Sequence, residues 1–346
     1  MKKLVIGVTA LNAIDSPGPG VAVIRAIREC KDFEVRIIGL AYEAMEPGLY
    51  MHDLVDKTYQ IPYPSGGTEP LLTRLEYIQE KENMDLIIPN FDAELFNFIK
   101  LQDKLLAMGI RTFLPELDQL EARDKMKLAA FGKKNGFFIP EEQYLHEHIE
   151  LKRMESELKY PLVVKGKYYD AIVANSFDQV EKAFQKIQAK WGLPIILQEF
   201  IKGTEINIAA LGDGEGNTIS VIPMRKLYIT EKGKAWAGVT LDDEMLIDLG
   251  RKFIQATNWR GGCELEVMLT STGKPFILEV NPRFPAWIYL TAAAGQNQPA
   301  SLVKMAMGST VEPFTTYAVG KIFIRYAWDL VTDISEFQKI SGNGEL

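Results

Sequence analysis

Histidine and cysteine are scarce in this 346-residue sequence, which carries three of the first and two of the second. Neither Cys30 nor Cys263 stands in a CxxC pair, so a structural zinc site and a disulfide scaffold are not expected. Both thiols are read as buried and reduced. His146 and His148 are two apart, a spacing that does not place both on one helical face, and His52 is remote from them. Zinc chemistry therefore has little to work with. No apolar run approaches the ~18 residues of a membrane span. The first run, residues 4–8, is short and leads into SPGPG rather than a small-residue cleavage site, so it reads as a buried strand. The cytoplasm is the expected location. A basic surplus is also lacking: 39 Lys and Arg stand against 46 Asp and Glu, a net charge of -7. A non-specific nucleic-acid binder carries the opposite balance, so neither nucleic acid nor membrane is an expected partner. Glycine (27) and proline (17) are too ordinary in number for a collagenous or disordered chain.

What is present is an alternation of strands and helices over the first third. Residues 4–8, 33–39, 86–89 and 109–113 read as strands, and 21–28 and 93–108 as helices. This is the pattern of a mostly parallel sheet, whose ligands sit at the carboxyl ends of strands. That draws attention to residues 9–20 and to Asn90, Asp92 and Glu94. SPGPG matches neither GxGxxG nor the GxxxxGK[ST] phosphate loop. It is a tight turn or an anion-binding edge. Asp92 and Glu94 are either a helix-start charge pair or, with Asp15, partners for a substrate ammonium group.

The middle of the chain reads as α+β. Strands are expected at 161–165, 195–200, 204–211 and 218–223, with helices at 120–134 and 176–190, and GDGEGN at 212–217 as a hairpin turn. A helix at 243–257, strands at 262–270 and 275–280, helices at 286–294 and 299–307 and a strand at 321–327 complete the fold. The tail ISGNGEL is expected to fray.

The sharpest local feature is GCELEVMLTSTGKPFILEVNPRF at 262–284. Side chains alternate along a strand, so Glu264 shares a face with Glu266, and Glu279 with Asn281. If the strands pair, Glu266, Glu279 and Asn281 converge. Carboxylates among apolar neighbours are expensive to bury alone. A magnesium ion, which takes hard oxygen ligands, would resolve that cost. An ordinary hairpin with an exposed polar face is the alternative. Arg283 follows two residues on and suits a phosphoryl group or an acyl phosphate. Lys125 and Lys165 are candidate phosphate cations. Glu199 and Glu205 flank FIKG as an acidic or ribose-binding edge. Arg225 and Lys226 are placed to hold a substrate carboxylate or phosphate, under a covering Trp236.

In order along the chain, DK (124–125), VVKG (163–166), QEFIKGTE (198–205) and LEVNPRF (278–284) resemble the ATP-grasp superfamily, in its carbamoyl-phosphate-synthase-like and amino-acid-ligase branch. The resemblance covers nearly the whole chain. It implies an ATP-grasp fold preceded by a parallel-sheet domain: α/β over 1–115, a small α+β lobe with a linker helix over 116–197, and a large lobe with the metal site over 198–346. It further implies that Lys125 and Lys165 bind ATP; Lys167, in the divergent stretch after Lys165, is a further candidate to fold over it. Glu199 and Ile201 would hold adenine, and Glu205 the ribose. Glu266, Glu279 and Asn281 would ligate Mg2+, with Mn2+ as the alternative, and Arg283 would steady the transferred phosphate.

The implied chemistry is an ADP-forming ligase that activates a small carboxylate as an acyl phosphate for attack by an amine. Amino acids or a small peptide are the first expectation. Other readings are activation of a different small carboxylate by carbamoyl-phosphate-synthase-like chemistry, or a nucleotide-binding partner protein with impaired catalysis. A homodimer formed through the first domain is a further implication. The chain departs from the pattern after Lys165. Relatives often carry a glycine-rich loop there, whereas this sequence has KGKYYDAIVANS with Gly166 alone.

Overall fold

A computed structural model describes residues 3–122, 125–166 and 170–346. The chain divides into two compact units, each discontinuous in sequence. The first comprises Met1–Leu120, Ile206–Leu265 and Val280–Leu346, the second Glu121–Glu205 and Glu266–Glu279.

The first unit opens with strand β1 (Lys3–Val8), followed by a two-residue ladder of β2 (Ala13–Ile14) with β3 (Ser16–Pro17), then helix α1 (Pro19–Arg28). Strands β4 (Glu34–Ala41) and β5 (Lys57–Gln60), helix α2 (Thr68–Glu82), strand β6 (Leu86–Ile88) and helices α3 (Asp92–Lys100) and α4 (Gln102–Ala107) follow. The sheet runs β5-β4-β1-β6 with every pairing parallel, as the alternation predicts. Its strands are apolar on both faces because helices cover both. Ile6, Val8, Ile24 and Ile37 fill one side and Ile38, Leu40, Leu75 and Phe98 the other, all buried. SPGPG is a close-packed turn. The Gly20 N–H donates to the Ala10 carbonyl at 3.0 Å, and a Cβ at Gly20 would sit 2.1 Å from the Thr9 carbonyl oxygen, so only glycine fits.

Two expectations here are corrected. No strand forms at 109–113; the segment makes a single bridge, Arg111 to Leu86, before the chain turns away at Pro115. The helix expected at 93–108 is two helices, broken at Leu101.

Helix α5 (Leu117–Ala122) leads to the second unit. There helix α6 (Lys125–Asn135), strand β7 (Glu142–Leu145), helix α7 (His148–Arg153), strands β8 (Leu162–Gly166) and β9 (Ala171–Ala174), helix α8 (Phe177–Trp191) and strand β10 (Ile195–Glu199) follow in turn. The sheet order is β7-β10-β8-β9, all antiparallel. Ser176 caps α8, accepting the Gln179 N–H, and the apolar face Val180, Ala183, Phe184 and Ile187 packs on Val164 and Ile195.

A six-stranded sheet, ordered β15-β14-β11-β12-β13-β16, is built from β11 (Gly203–Asp213), β12 (Thr218–Ile229), β13 (Ala235–Thr240), β14 (Arg260–Thr270), β15 (Pro275–Asn281) and β16 (Ile322–Ile324). Helix α9 (Glu244–Thr257) is capped by Asp243, and helices α10 (Tyr289–Ala293) and α11 (Gln298–Ala306) follow β15. The β14–β15 turn closes with Gly273 at φ 79, where the Gly273 N–H reaches the Thr270 carbonyl, a glycine-dependent hairpin bend. The strand expected at 321–327 is only three residues long.

The tail does not fray. Helix α12 (Ile334–Asn343) buries Ile340, and the last residues pair with β5: the Thr58 N–H donates to the Leu346 carbonyl at 2.9 Å and the Gln60 N–H to that of Gly344 at 2.8 Å. Arg74 Nη2 adds a second donor to the Gly344 oxygen at 2.6 Å. A polar tail is held when its backbone completes the edge of a sheet.

Candidate active site

The part of the LEVNPRF segment that lies in the first unit is organised around Glu264, which is only 5% exposed. Its Oε1 accepts from Asn207 Nδ2 at 2.6 Å and Trp287 Nε1 at 2.7 Å; its Oε2 accepts from Asn281 Nδ2 at 3.0 Å. Three donors from three elements therefore satisfy one buried carboxylate. Because the Asn281 nitrogen is tied to Glu264, the Asn281 oxygen is the atom directed elsewhere. The Asn207 and Trp287 contributions have no local sequence signal; only the shared face of Glu264 and Glu266 was readable.

Arg283, partly buried, donates from Nε to Asp92 Oδ2 at 2.7 Å and from Nη1 to the Phe284 carbonyl at 3.2 Å. Two residues picked out separately in the sequence thus meet. Asp92 begins α3, where a carboxylate also complements the helix dipole. Beside Arg283 is a small cavity of about 20 Å³, bordered by Asn90, Phe113, Gly262, Pro282 and Phe284, with room for roughly one water. Asn90 Oδ1 borders it and, among the described residues, has no hydrogen-bond partner.

Glu94 is buried and its carboxylate is engaged from four sides. It accepts from the Thr9 and Tyr42 hydroxyls and from the backbone N–H groups of Asn90 and Phe91, the last two at 2.9 Å. Burial outweighs these donors and pushes its carboxyl up to about 7, while burial and the adjacent Glu94 push the Tyr42 hydroxyl well above its ordinary range, so it stays a donor. Glu94 therefore ties together the carboxyl ends of β1, β4 and β6. Asp15, at φ 66, accepts from Thr230 Oγ1 at 3.1 Å and pairs with Lys234 at 3.8 Å, in a surface contact of the 13–17 ladder.

Strand pairing separates Arg225 from Lys226. Asn207 pairs with Met224, so Met224 and Lys226 share the sheet face of Asn207 and Glu264, and Arg225 points to the other face, exposed. Lys226 Nζ reaches the Gly233 carbonyl at 3.2 Å, and Trp236 is half-buried on the next strand. Arg325 was not anticipated. Its guanidinium donates to the Ala235 carbonyl at 3.1 Å and the Pro17 carbonyl at 3.4 Å, and burial pushes its pKa down.

In the second unit Lys165 is half-buried on β8, opposite Ile196. Glu199 is exposed at the end of β10, its backbone N–H bonded to the Glu141 carbonyl at 2.8 Å, and Ile201 is buried. Glu205, Glu266 and Glu279 are half-buried. The Lys125 side chain and Lys167 lie outside the described residues. Among the described residues no group of three His, Cys, Asp or Glu is clustered as a metal site; the expected set here has two carboxylates and an amide.

Residues 193–324 match the family described as ATP-grasp in the biosynthetic pathway with Ter operon. That match includes Glu199, Glu205 and the whole 262–284 hairpin but begins after Lys165. The N-terminal section of the carbamoyl phosphate synthase large chain of Methanopyrus kandleri is 25% identical over 287 residues, 75% of this chain and 50% of its own length. The D-alanine–D-alanine ligase of Cupriavidus metallidurans is 26% identical over 179 residues, 46% of this chain and 54% of its own. The chain spans about half the length of the curated relatives it matches.

Among solved structures, the biotin carboxylase–β-γ-ATP complex from Campylobacter jejuni superposes with a TM-score of 0.70 at 16% identity, covering 92% of this chain and 74% of that one. The biotin carboxylase domain of Hydrogenobacter thermophilus 2-oxoglutarate carboxylase, in complex with MgADP, ADP and bicarbonate, gives 0.69 at 18% identity, covering 92% and 73%. These likenesses establish the fold, a parallel-sheet domain joined to an ATP-grasp arrangement. Residues 193–324 thus match an ATP-grasp family, and the chain as a whole has the fold of the ATP-grasp structures and is similar in sequence to the carbamoyl phosphate synthase relative.

Proposed function

We propose that this chain uses ATP and a divalent cation to phosphorylate a small carboxylate, releasing ADP, and that a nucleophile then attacks the acyl carbon and displaces inorganic phosphate. The carboxylate oxygen bonds to the γ-phosphorus as the bond to the ADP oxygen breaks. The observation that carries this reading is the LEVNPRF segment anchored by Glu264, with Asn281 and Arg283 held in defined orientations.

The residues fit the cation. Hard oxygen donors suit magnesium, and the Asn281–Glu264 bond selects the amide oxygen as the outward donor. Glu266, Glu279 and Asn281 would hold the ion. An antiparallel hairpin in which Glu264 meets Asn281 would bring Glu266 opposite Glu279. Bound magnesium ATP supplies the phosphoryl group and neutralises charge on it. Lys165 and Lys125 would contact the phosphates, Lys167 would fold over them, Glu199 and Ile201 would hold adenine and Glu205 the ribose. Arg283, steadied by Asp92, would orient carboxylate or phosphoryl oxygens through its planar fork.

Bicarbonate is the first carboxylate to test. The carbamoyl phosphate synthase relative aligns with three quarters of this chain, and one neighbour of the same fold is a complex with bicarbonate. An amino-acid carboxylate, with an amine as acceptor, is the second reading. It is favoured by the shorter likeness to D-alanine–D-alanine ligase. ADP release with magnesium ATP, assayed with bicarbonate and with pairs of amino acids, tests both. Release that depends on one of these carboxylates and is abolished in Glu279→Gln supports the proposal. ATP binding with no release under any condition overturns it in favour of a non-catalytic nucleotide-binding protein.

A further inference from the structure

The six-stranded sheet ends at β16, and among the described residues no strand pairs with its outer edge. Inward bonds are made at odd positions: the Arg325 N–H donates to the Trp236 carbonyl at 2.8 Å, and the Lys321 carbonyl accepts from the Thr240 N–H at 2.9 Å. The N–H and C=O groups of Ile322 and Ile324 therefore face outward, an open template for another strand. Natural edges are usually blunted by charge or proline. This one is followed by apolar side chains instead.

Tyr228, Ala237 and Ile324 pair in a row across β12, β13 and β16, so their side chains share one face. It is the face opposite Asn207 and Glu264. Tyr228 is 67% exposed and Ile324 72%, with the small Ala237 between them. Past the strand, Tyr326 (74%) and Trp328 (85%) pack edge to face at 6.1 Å, and Val331 is 91% exposed. A fully buried aromatic covers ~150–250 Å², so three rings at these exposures present on the order of 400 Å². Ile322, Ile324 and Val331 carry the patch toward the ~800 Å² per partner of a standard interface. Monomers rarely leave a continuous apolar surface of that size in water.

We propose that the β16 edge, with its Tyr228–Ile324 face and the Tyr326–Trp328 ribbon, is the interface through which two copies of this chain associate. An antiparallel edge is self-complementary, as an isologous two-fold contact requires. Pairing about Arg325 would set Ile324 against Tyr326 and Ile322 against Trp328, aromatic to β-branched, with Lys321 opposite Asp329.

Sedimentation equilibrium of the full chain at micromolar concentration tests the assignment. The wild type is expected at twice the monomer mass. The Tyr326→Ser, Trp328→Ser double variant is expected at monomer mass with an unchanged circular dichroism spectrum, since both side chains are exposed in the single chain. Met45→Ser, which alters an equally exposed apolar residue (74%) elsewhere, is expected to stay dimeric. As an independent measure, an equimolar mixture of Ile324→Cys and Tyr326→Cys chains, both in a Cys30→Ser background, should form an intermolecular disulfide on oxidation, because these two positions stand opposite each other in the pairing. A monomeric wild type, a dimer that survives the double variant, or binding to phospholipid vesicles without self-association would each overturn the proposal.

Discussion

Arg283 Nε and Asp92 Oδ2 lie 2.7 Å apart although 191 residues separate them in the chain. The contact links the end of the LEVNPRF segment to the first turn of the helix after β6. It places a carboxylate behind the guanidinium that the resemblance gives to the transferred phosphate. Arg283 holds Asp92 through Nε and the Phe284 carbonyl through Nη1, a planar fork that lysine could not supply. We expect Arg283→Lys to lower the rate of carboxylate-dependent ADP release about a hundredfold and Asp92→Asn about tenfold. The pair is partly exposed, so the loss of stability in either variant should stay within ~1 kcal/mol. Steady-state kinetics beside urea denaturation separates the two effects, and equal activity in Asp92→Asn and wild type would remove the positioning role.

Glu264 has the opposite balance, with more structural than chemical consequence. Its removal leaves Asn207 Nδ2, Asn281 Nδ2 and Trp287 Nε1 without their acceptor. Each stranded buried donor costs ~1–3 kcal/mol, so Glu264→Ala is expected to lose ~3–5 kcal/mol of folding stability. Urea midpoints at constant slope would show it. Glu264→Asp, which keeps the charge but withdraws it by one methylene, should recover part of the loss.

Glu94 makes stability depend on pH. Its carboxyl is raised by burial to about 7 in the folded protein, against an ordinary value of 4.5. The folded state therefore holds its proton more tightly than the unfolded chain does. The resulting stabilisation is fully present below about pH 4.5 and is lost as pH rises through about 7. The span corresponds to at most about 3 kcal/mol. Glu94→Gln should flatten the stability profile between these limits, read from urea midpoints measured along a pH series. A wild-type profile that rises over the same window relative to Glu94→Gln would contradict the assignment.

Why some of this was readable in the sequence and some not follows from range. The α8 and α9 starts were visible because Ser176 and Asp243 cap them locally. PLVVK and the 262–284 hairpin were visible because apolar runs and period-two alternation are local too. The burial of Glu264 depends on Asn207 and Trp287, 57 and 23 residues away, and nothing near Glu264 announces them. The tail looked unstructured because its anchors are backbone atoms, and ISGNGEL has no apolar pattern to reveal them. Arg225 and Lys226 were read as one cationic site because they are adjacent, although adjacency in a strand means opposite faces.

The tail contact carries its own prediction. Leu346 and Gly344 supply the acceptors for the Thr58 and Gln60 amides, on the edge strand of the parallel sheet. Deleting residues 344–346 should leave those two amides open to solvent. Hydrogen exchange at Thr58 and Gln60 is expected to accelerate at least about tenfold, a loss of ~1.4 kcal/mol or more in local protection, with Ile37 and Ile38 in the neighbouring strand unaffected. Unchanged exchange at Thr58 would mean the edge is protected by something other than the tail.

The separation of Arg225 from Lys226 yields the test that best isolates the active face. Lys226 shares its face with Asn207, whose amide bonds Glu264, while Arg225 pairs with Ile206 and Val239 and projects from the reverse side. A cation on the reverse side cannot reach a carboxylate bound near Asn281. Lys226→Ala is therefore expected to reduce kcat/KM for the carboxylate by at least about tenfold, mostly through KM, because a lysine acts as a point charge that binds ground state and transition state alike. Arg225→Ala is expected to stay within about twofold of wild type. Arg225 is exposed and Lys226 half-buried at the end of a long flexible stem, so neither change should unfold the protein. The reverse ranking, a strong effect at Arg225 and none at Lys226, would place the substrate on the other side of the sheet and with it displace Glu266, Glu279 and Asn281 from the chemistry.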